Sequence, residues 1–253
     1  MKFSDFETLT FDVVGTLIDF ETGILDWFQP ALKRYGVSKT DEEVLATFAV
    51  VEDKYQKESP EKPFTEMLPL IYRDMASGWG IEFREEDAES FRDSIRSWPP
   101  FPDTVEALED LGTRYRLVAV TNADAWALGH MSANMGDPFQ ERITCDEVGT
   151  NKPSPEVFEY VLGKLAPRGV QKKDILHTAQ SQYHDIAPAT EMGFATMWIE
   201  RRHGKNGFGA TPKPGRVATP TFHATSMADF ASQVREEQQF GEDDTHEHSG
   251  GAG

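Results

Sequence analysis

A chain of 253 residues with 25 Lys and Arg against 43 Asp and Glu carries a formal net charge of −18, and 38% of its residues are hydrophobic. That apolar content supports one large core, which excludes disorder along the whole chain, and the length allows one domain with an insertion or two modest domains. So much negative charge repels nucleic-acid phosphates and anionic lipid head groups, so neither nucleic acid nor a membrane surface is expected as a partner.

The first apolar run, 8–14, reads as a strand closed by Gly15-Thr16. The interval 20–98 then carries helical periodicity only. Helices are predicted over 21–35, 39–56, 64–79 and 85–97, with breaks at Gly36, at Ser59-Pro60-Glu61-Lys62-Pro63 and at Gly80. Trp98-Pro99-Pro100-Phe101-Pro102 stiffens the return from this insertion. Beyond it strands over 116–121, 142–145, 175–179, 195–199 and 221–224 alternate with helices over 104–111, 125–135, 155–165, 186–192 and 227–238. Short strands separated by covering helices predict a parallel sheet and an α/β, Rossmann-like, doubly wound fold. Residues 203–220 hold too many Gly and Pro for an element and read as a long loop. The predicted organisation is a core of 1–19 and 99–240, an α-helical cap over 20–98 and a polar, disordered tail over 241–253.

Cys145 is the single cysteine, so no internal disulfide can form. No apolar run approaches the ~18 residues of a membrane span, and Asp5 and Glu7 make the start unlike a signal peptide. A reducing, cytoplasmic setting is expected. Cys145 itself is read as a small buried hydrophobe.

Chemistry-bearing residues gather at the predicted strand ends, where open α/β sheets bind ligands. Asp12 closes the first strand, as a turn residue or as a nucleophile. Thr121-Asn122 ends the second, where a hydroxyl and an amide can hold an anionic oxygen. Lys152 precedes Pro153-Ser154-Pro155 and a helix start, a place that disfavours positive charge, so it is read as a solvated surface lysine or as the partner of a functional anion. Gln180-Ser181-Gln182-Tyr183-His184-Asp185 follows the fourth strand, with Asp185 as a helix cap or a functional acid.

In this order the four segments resemble the motifs of the haloacid dehalogenase superfamily: Phe11-Asp12-Val13-Val14-Gly15-Thr16-Leu17, Thr121-Asn122, Lys152-Pro153, and Gln180 to Asp185. The helical insertion is similar to that superfamily's cap. The superfamily's phosphatases place a second Asp two residues after the nucleophile and two acidic residues in the fourth motif, where this chain has Val14 and Gln180. A valine transfers no proton, and only Asp12, the Val14 carbonyl and Asp185 would remain for Mg²⁺, so no cofactor is expected. The resemblance is rather to the L-2-haloacid dehalogenases of type II. It implies that Asp12 attacks the halogen-bearing carbon and that water hydrolyses the resulting ester. It further implies that Thr16 and Lys152 support Asp12, that Thr121 and Asn122 hold the substrate carboxylate, and that Asp185 positions Lys152 or the water. By position Val14, Phe158 and Ser181 would also line the substrate. The resemblance implies a small-molecule substrate, and a homodimer is compatible with it. The alternatives are a Mg²⁺-dependent phosphatase of a small phosphate ester and a non-catalytic binding protein of the same fold.

One departure concerns the cap. Where the dehalogenases supply an Arg to the halide, this chain has Glu52, with Lys54, Lys33 and Arg34 as the nearest positive charges. A carboxylate there would repel a halide or a carboxylate, so either another cation takes over or the substrate is not a simple haloacid. His177 and His184 flank the fourth motif, with His184 a structural histidine or a base. Trp27, Phe28, Trp79 and Trp98 are expected in ordinary packing, with some roofing the pocket, and His246 and His248 are expected to be solvated.

Overall fold

Six strands, β1 (Thr8–Phe11), β2 (Arg116–Thr121), β3 (Glu141–Thr144), β4 (Ile175–Ala179), β5 (Ala195–Ile199) and β6 (Phe222–Ala224), form one parallel sheet in a computed structural model that describes residues 1–205 and 207–247. The strand order is β3-β2-β1-β4-β5-β6. The chain starts at β1, builds outward through β2 and β3, then returns to the other side of β1 with β4. The order in which strands are added therefore reverses beside β1, the position at which such sheets open a crevice beyond the strand ends.

Alternation along β2 shows how the sheet is covered. Leu117 and Ala119 join one apolar cluster, while Val118 and Val120 join another on the opposite face. Both faces being covered, β1 and β4 are buried at every residue. β1 ends at Phe11, earlier than the apolar run predicts. The Val13 carbonyl accepts from the N–H groups of Leu17 and Ile18, turning the chain through Gly15 at φ +89° and leaving Asp12 just past the strand.

The insertion comprises α1 (Phe20–Arg34), α2 (Asp41–Glu58), α3 (Phe64–Gly78) and α4 (Glu85–Asp93), the last continued by a 3₁₀ turn at Ser94–Ser97. Asp19 caps α1 by accepting from the Thr22 N–H, and Thr40 and Glu43 form a capping box at the start of α2. Trp27, Phe28, Tyr72, Trp79 and Phe91 pack ring against ring within this insertion. Trp98, buried on the return to the sheet, lies against Gly23 of α1, where any Cβ would strike the indole.

The sheet is flanked by α5 (Thr104–Gly112), α6 (Ala125–Asn134), α7 (Cys145–Val148), α8 (Pro155–Leu165), α9 (Ala187–Glu191) and α10 (Met227–Glu247). α9 is entered through a π-helical turn at Gln182–Ile186, with the Ser181 carbonyl accepting from Ile186 N–H, five residues on. α10 runs to Glu247, over the first part of the tail expected to be irregular, while 248–253, with His248, lie outside the described residues. Cys145 opens α7 instead of closing β3, and burial pushes its thiol up to about 12, as suits a packing residue. No helix among the described residues is long and apolar enough to cross a membrane.

Candidate active site

The segments beyond β1, β2 and β4 and the turn before α8 converge on one cavity of about 40 Å³, lined by Asp12, Val14, Thr121, Asn122, Lys152, Gln180, Ser181, His184 and Asp185 from the core. That is space for roughly three water molecules. Phe20, Glu52 and Gln56 of the insertion roof it, and Ala210 and Thr211 of the long loop close its side.

Lys152 is its centre. The side chain is 1% exposed, and Nζ donates to Asp12 Oδ1 (2.9 Å), Asp185 Oδ1 (2.6 Å) and the Val120 carbonyl (2.8 Å). An ammonium has three protons, and all three are engaged. Burial favours the neutral amine, yet the two carboxylates hold the Lys152 pKa above its usual value. Asp12 Oδ2 accepts from the Thr16 hydroxyl at 2.6 Å, and Thr16 Oγ1 in turn accepts from the Gln180 N–H at 2.8 Å.

The two carboxylates do not share the ammonium equally. Burial opposes ionisation of Asp185, but Lys152 and His177 hold it down at about 2, His177 Nε2 lying 3.1 Å from Asp185 Oδ1. Burial, together with Asp185, pushes Asp12 above the usual carboxylate range in spite of Lys152 and Thr16. The shorter contact and the extra histidine give Asp185 the stronger claim on charge, leaving Asp12 the weaker acid of the two.

Several expected residues do other work here. Asn122 spends its amide on the main chain of Lys152, donating to its carbonyl (3.0 Å) and accepting from its N–H (2.8 Å), so it anchors the lysine. Phe158 is not at the cavity. Val157, Phe158, Val161 and Leu165 form the apolar stripe of α8, which turns the Phe158 ring into the core, edge-on to His177 at 5.2 Å. His184 Nε2 faces Gln56 Oε1 at 3.1 Å, an oxygen that only accepts, so Nε2 donates and Nδ1 is left to accept from Ser181. With both nitrogens engaged and burial depressing its pKa to about 4, His184 is a neutral structural link from core to insertion and not a free base. The aromatic residues Trp27, Phe28, Trp79 and Trp98 stay inside the insertion or at its return and do not line the cavity.

Residues not foreseen include Gln56, Phe20 and the loop pair Ala210 and Thr211. His177 is another. It pairs in register with Thr10 of β1, and Thr10 Oγ1 lies 2.9 Å from its Nδ1. A histidine inside a fully buried strand was the available signal.

Glu52 lies at the cavity, as its approximate alignment with a cap arginine anticipates, and it is 6% exposed. Burial, reinforced by Asp53 and Asp12, raises its pKa to about 8, so it keeps its proton at neutral pH.

A dication such as Mg²⁺ needs several oxygen ligands. Asp12 and Asp185 both already meet an ammonium, and Gln180 supplies only an amide oxygen. Among the described residues no group of three or more His, Cys, Asp or Glu is arranged to hold a metal. Asp185 Oδ2, buried without a hydrogen-bond partner, is the acidic oxygen left over. This donor set does not fit a resident divalent ion.

A parallel α/β sheet whose strand ends present Asp, Thr-Asn, Lys and Asp, roofed by a helical insertion after the first strand, defines a hydrolase of the haloacid dehalogenase type. The family model of haloacid dehalogenase-like hydrolases matches residues 9–199, and the chain belongs to that family. The chain is 26% identical over 192 residues to the pyrophosphatase PpaX of Oceanobacillus iheyensis, covering 76% of this chain and 82% of that one. It is 24% identical over 159 residues to the (S)-2-haloacid dehalogenase 2 of a Pseudomonas species, covering 61% of this chain and 67% of that one. In fold it is similar to the L-2-haloacid dehalogenase of Xanthobacter autotrophicus with chloropropionic acid covalently bound, with a TM-score of 0.73 at 17% identity over 91% of this chain and 98% of that one.

Proposed function

We propose that this hydrolase acts at carbon, in the manner of a 2-haloacid dehalogenase, with Asp12 as nucleophile and a covalent ester intermediate. The observation that carries the reading is the Lys152 ammonium held between Asp12 and Asp185, a protein cation placed where the two carboxylates meet. Asp12 attacks carbon as the carbon–halogen bond breaks and the electron pair leaves with the halide. Thr16 and Lys152 fix the carboxylate through one oxygen each, limiting the orientations from which it must be recruited. Asp185, itself held by His177, and the Asn122 amide position Lys152. Water then adds to the carboxyl carbon of the ester, releasing the alcohol and restoring Asp12. Val14, in the position of the phosphatases' proton donor, suits a halide, which departs without a proton. The helical insertion acts as a cap that limits water at the site while the ester forms.

The test is a single turnover in ¹⁸O water with a panel of small halogenated substrates. Label is expected in the Asp12 carboxylate, and Asp12→Asn is expected to abolish turnover. An unlabelled Asp12 during active turnover would refute the mechanism, and activity that survives Asp12→Asn would refute it equally.

A second reading, hydrolysis of a phosphate ester, is supported by the similarity to PpaX and by the unpartnered Asp185 Oδ2. Phosphate release that requires Mg²⁺ and stops with EDTA would establish it in place of the first. Absence of any hydrolysis would favour a non-catalytic binding role.

A further inference from the structure

The charges of the cavity determine which substrates it accepts. Asp12 and Asp185 contribute two negative charges and Lys152 one positive charge, and among the described residues Lys152 is the sole lysine or arginine lining the space. Its three protons go to Asp12, Asp185 and Val120, so none remains for a substrate anion. The neighbouring cations do not take over: Lys54 pairs with Asp74 at 2.9 Å, Lys57 with Asp53 at 2.6 Å and Arg34 with Asp87 at 3.0 Å, and none of the three lines the cavity. His184 is neutral between Ser181 and Gln56.

Beside the Phe20 ring, the roof brings two polar side chains, Glu52 and Gln56, one helical turn apart on α2. The Glu52 carboxyl is buried, borders the cavity and has no hydrogen-bond or ion-pair partner among the described residues. A buried polar group without a protein partner is costly unless a ligand or water meets it. Ionised, Glu52 would deepen the negative charge; protonated, it is a hydrogen-bond donor. In neither form does it supply a counter-charge to an anion.

Resting on the Asp12 reading above, we propose that the site selects an uncharged substrate over an anionic one of the same shape. Glu52 and Gln56 meet that substrate as hydrogen-bonding groups, and a 2-haloamide is a better substrate than the matching 2-haloacid. With 2-chloroacetamide, the Asp12 oxygen bonds to the methylene carbon as the C–Cl bond breaks and chloride takes the electron pair. Water then places its oxygen in the Asp12 carboxylate, one proton goes to the glycolamide hydroxyl and the other is released. The burial-raised pKa of Glu52 agrees with the donor role but is not required, because the charge argument holds in both protonation states.

The experiment is chloride release from 2-chloroacetamide and from chloroacetate by the full chain at neutral pH, with Asp12→Asn as the background for non-enzymatic alkylation. The amide is expected to be favoured at least about tenfold in kcat/KM, since an anion entering a site of net negative charge is opposed by uncompensated repulsion. Glu52→Gln keeps that preference, and Glu52→Arg reverses it toward chloroacetate. A buried arginine can cost folding, so the wild-type ratio and Glu52→Gln decide the matter by themselves. Chloroacetate turned over as fast as the amide or faster, with Asp12 labelled from ¹⁸O water, overturns this inference and leaves the nucleophile intact. Chloride from neither compound, with Asp12 unlabelled, overturns both.

Discussion

Replacing Glu52 by glutamine tests the physical state of the roof without reference to any substrate. Its carboxyl has an ordinary pKa of 4.5, and in the folded protein burial raises this to about 8. Between those values the folded chain holds a proton that the unfolded chain releases, so stability falls as pH rises, from about 4.5 until the folded group itself ionises near 8. The slope is about 1.4 kcal/mol per pH unit, and over this window the loss reaches roughly 5 kcal/mol. Glutamine has nearly the same shape and no proton to lose. Urea unfolding of wild type and Glu52→Gln, followed by circular dichroism at constant ionic strength and several pH values from 4.5 to 9, isolates the group because titrations not coupled to Glu52 cancel in the difference. The two proteins should diverge steadily in favour of glutamine as pH rises and then run parallel above about pH 8. An offset independent of pH would show that Glu52 titrates as an exposed carboxylate and that the roof is not dry.

Removing the central cation should be severe. Lys152→Met leaves Asp12 and Asp185 facing each other, and a loss of about 3–5 kcal/mol at neutral pH is expected, shrinking in acid as the carboxylates protonate; chemical denaturation at pH 7 and pH 4 measures both. The acid limb of the rate profile should reflect Asp12. If Asp12 is the nucleophile, as proposed above, it must be ionised, and because burial raises its pKa, kcat/KM should fall toward low pH with a midpoint above the ordinary carboxylate value of 3.8. Phe158→Ala should lower unfolding free energy by about 3–5 kcal/mol through cavity formation, while the KM of the folded enzyme stays as in wild type. Gly23→Ala should cost about 1–3 kcal/mol, since the added methyl meets the buried Trp98 indole, and thermal unfolding would show it.

What could be read from the chain and what could not follow from the range of the interactions. Asp12, Lys152 and Asp185 stand next to strand ends and breakers, so local sequence locates them and the parallel topology brings them together. The insertion was legible for a similar reason, because helical periodicity between two buried strands has few other outcomes. The commitment of Asn122 to the Lys152 main chain was not, since an amide at a strand end serves a ligand or the backbone equally well until its partner is in place. Nor were Gln56, Ala210 and Thr211, which reach the cavity by packing between segments far apart in the chain. Phe158 is instructive in the other direction. The family resemblance implied a substrate contact, whereas the neighbouring stripe of Val157, Val161 and Leu165 already pointed to the core.

The arrangement of α2 above the strand ends separates two tasks physically. Every ionised group at the cavity belongs to the sheet side, rigidly tied through Thr16, Asn122 and His177, while the helix overhead offers a carboxylic acid and an amide at neighbouring turns. On the reading proposed above, exchanging that one helical face would retune discrimination among guests without disturbing the carboxylates and ammonium below, which makes positions 52 and 56 the place to begin a redesign.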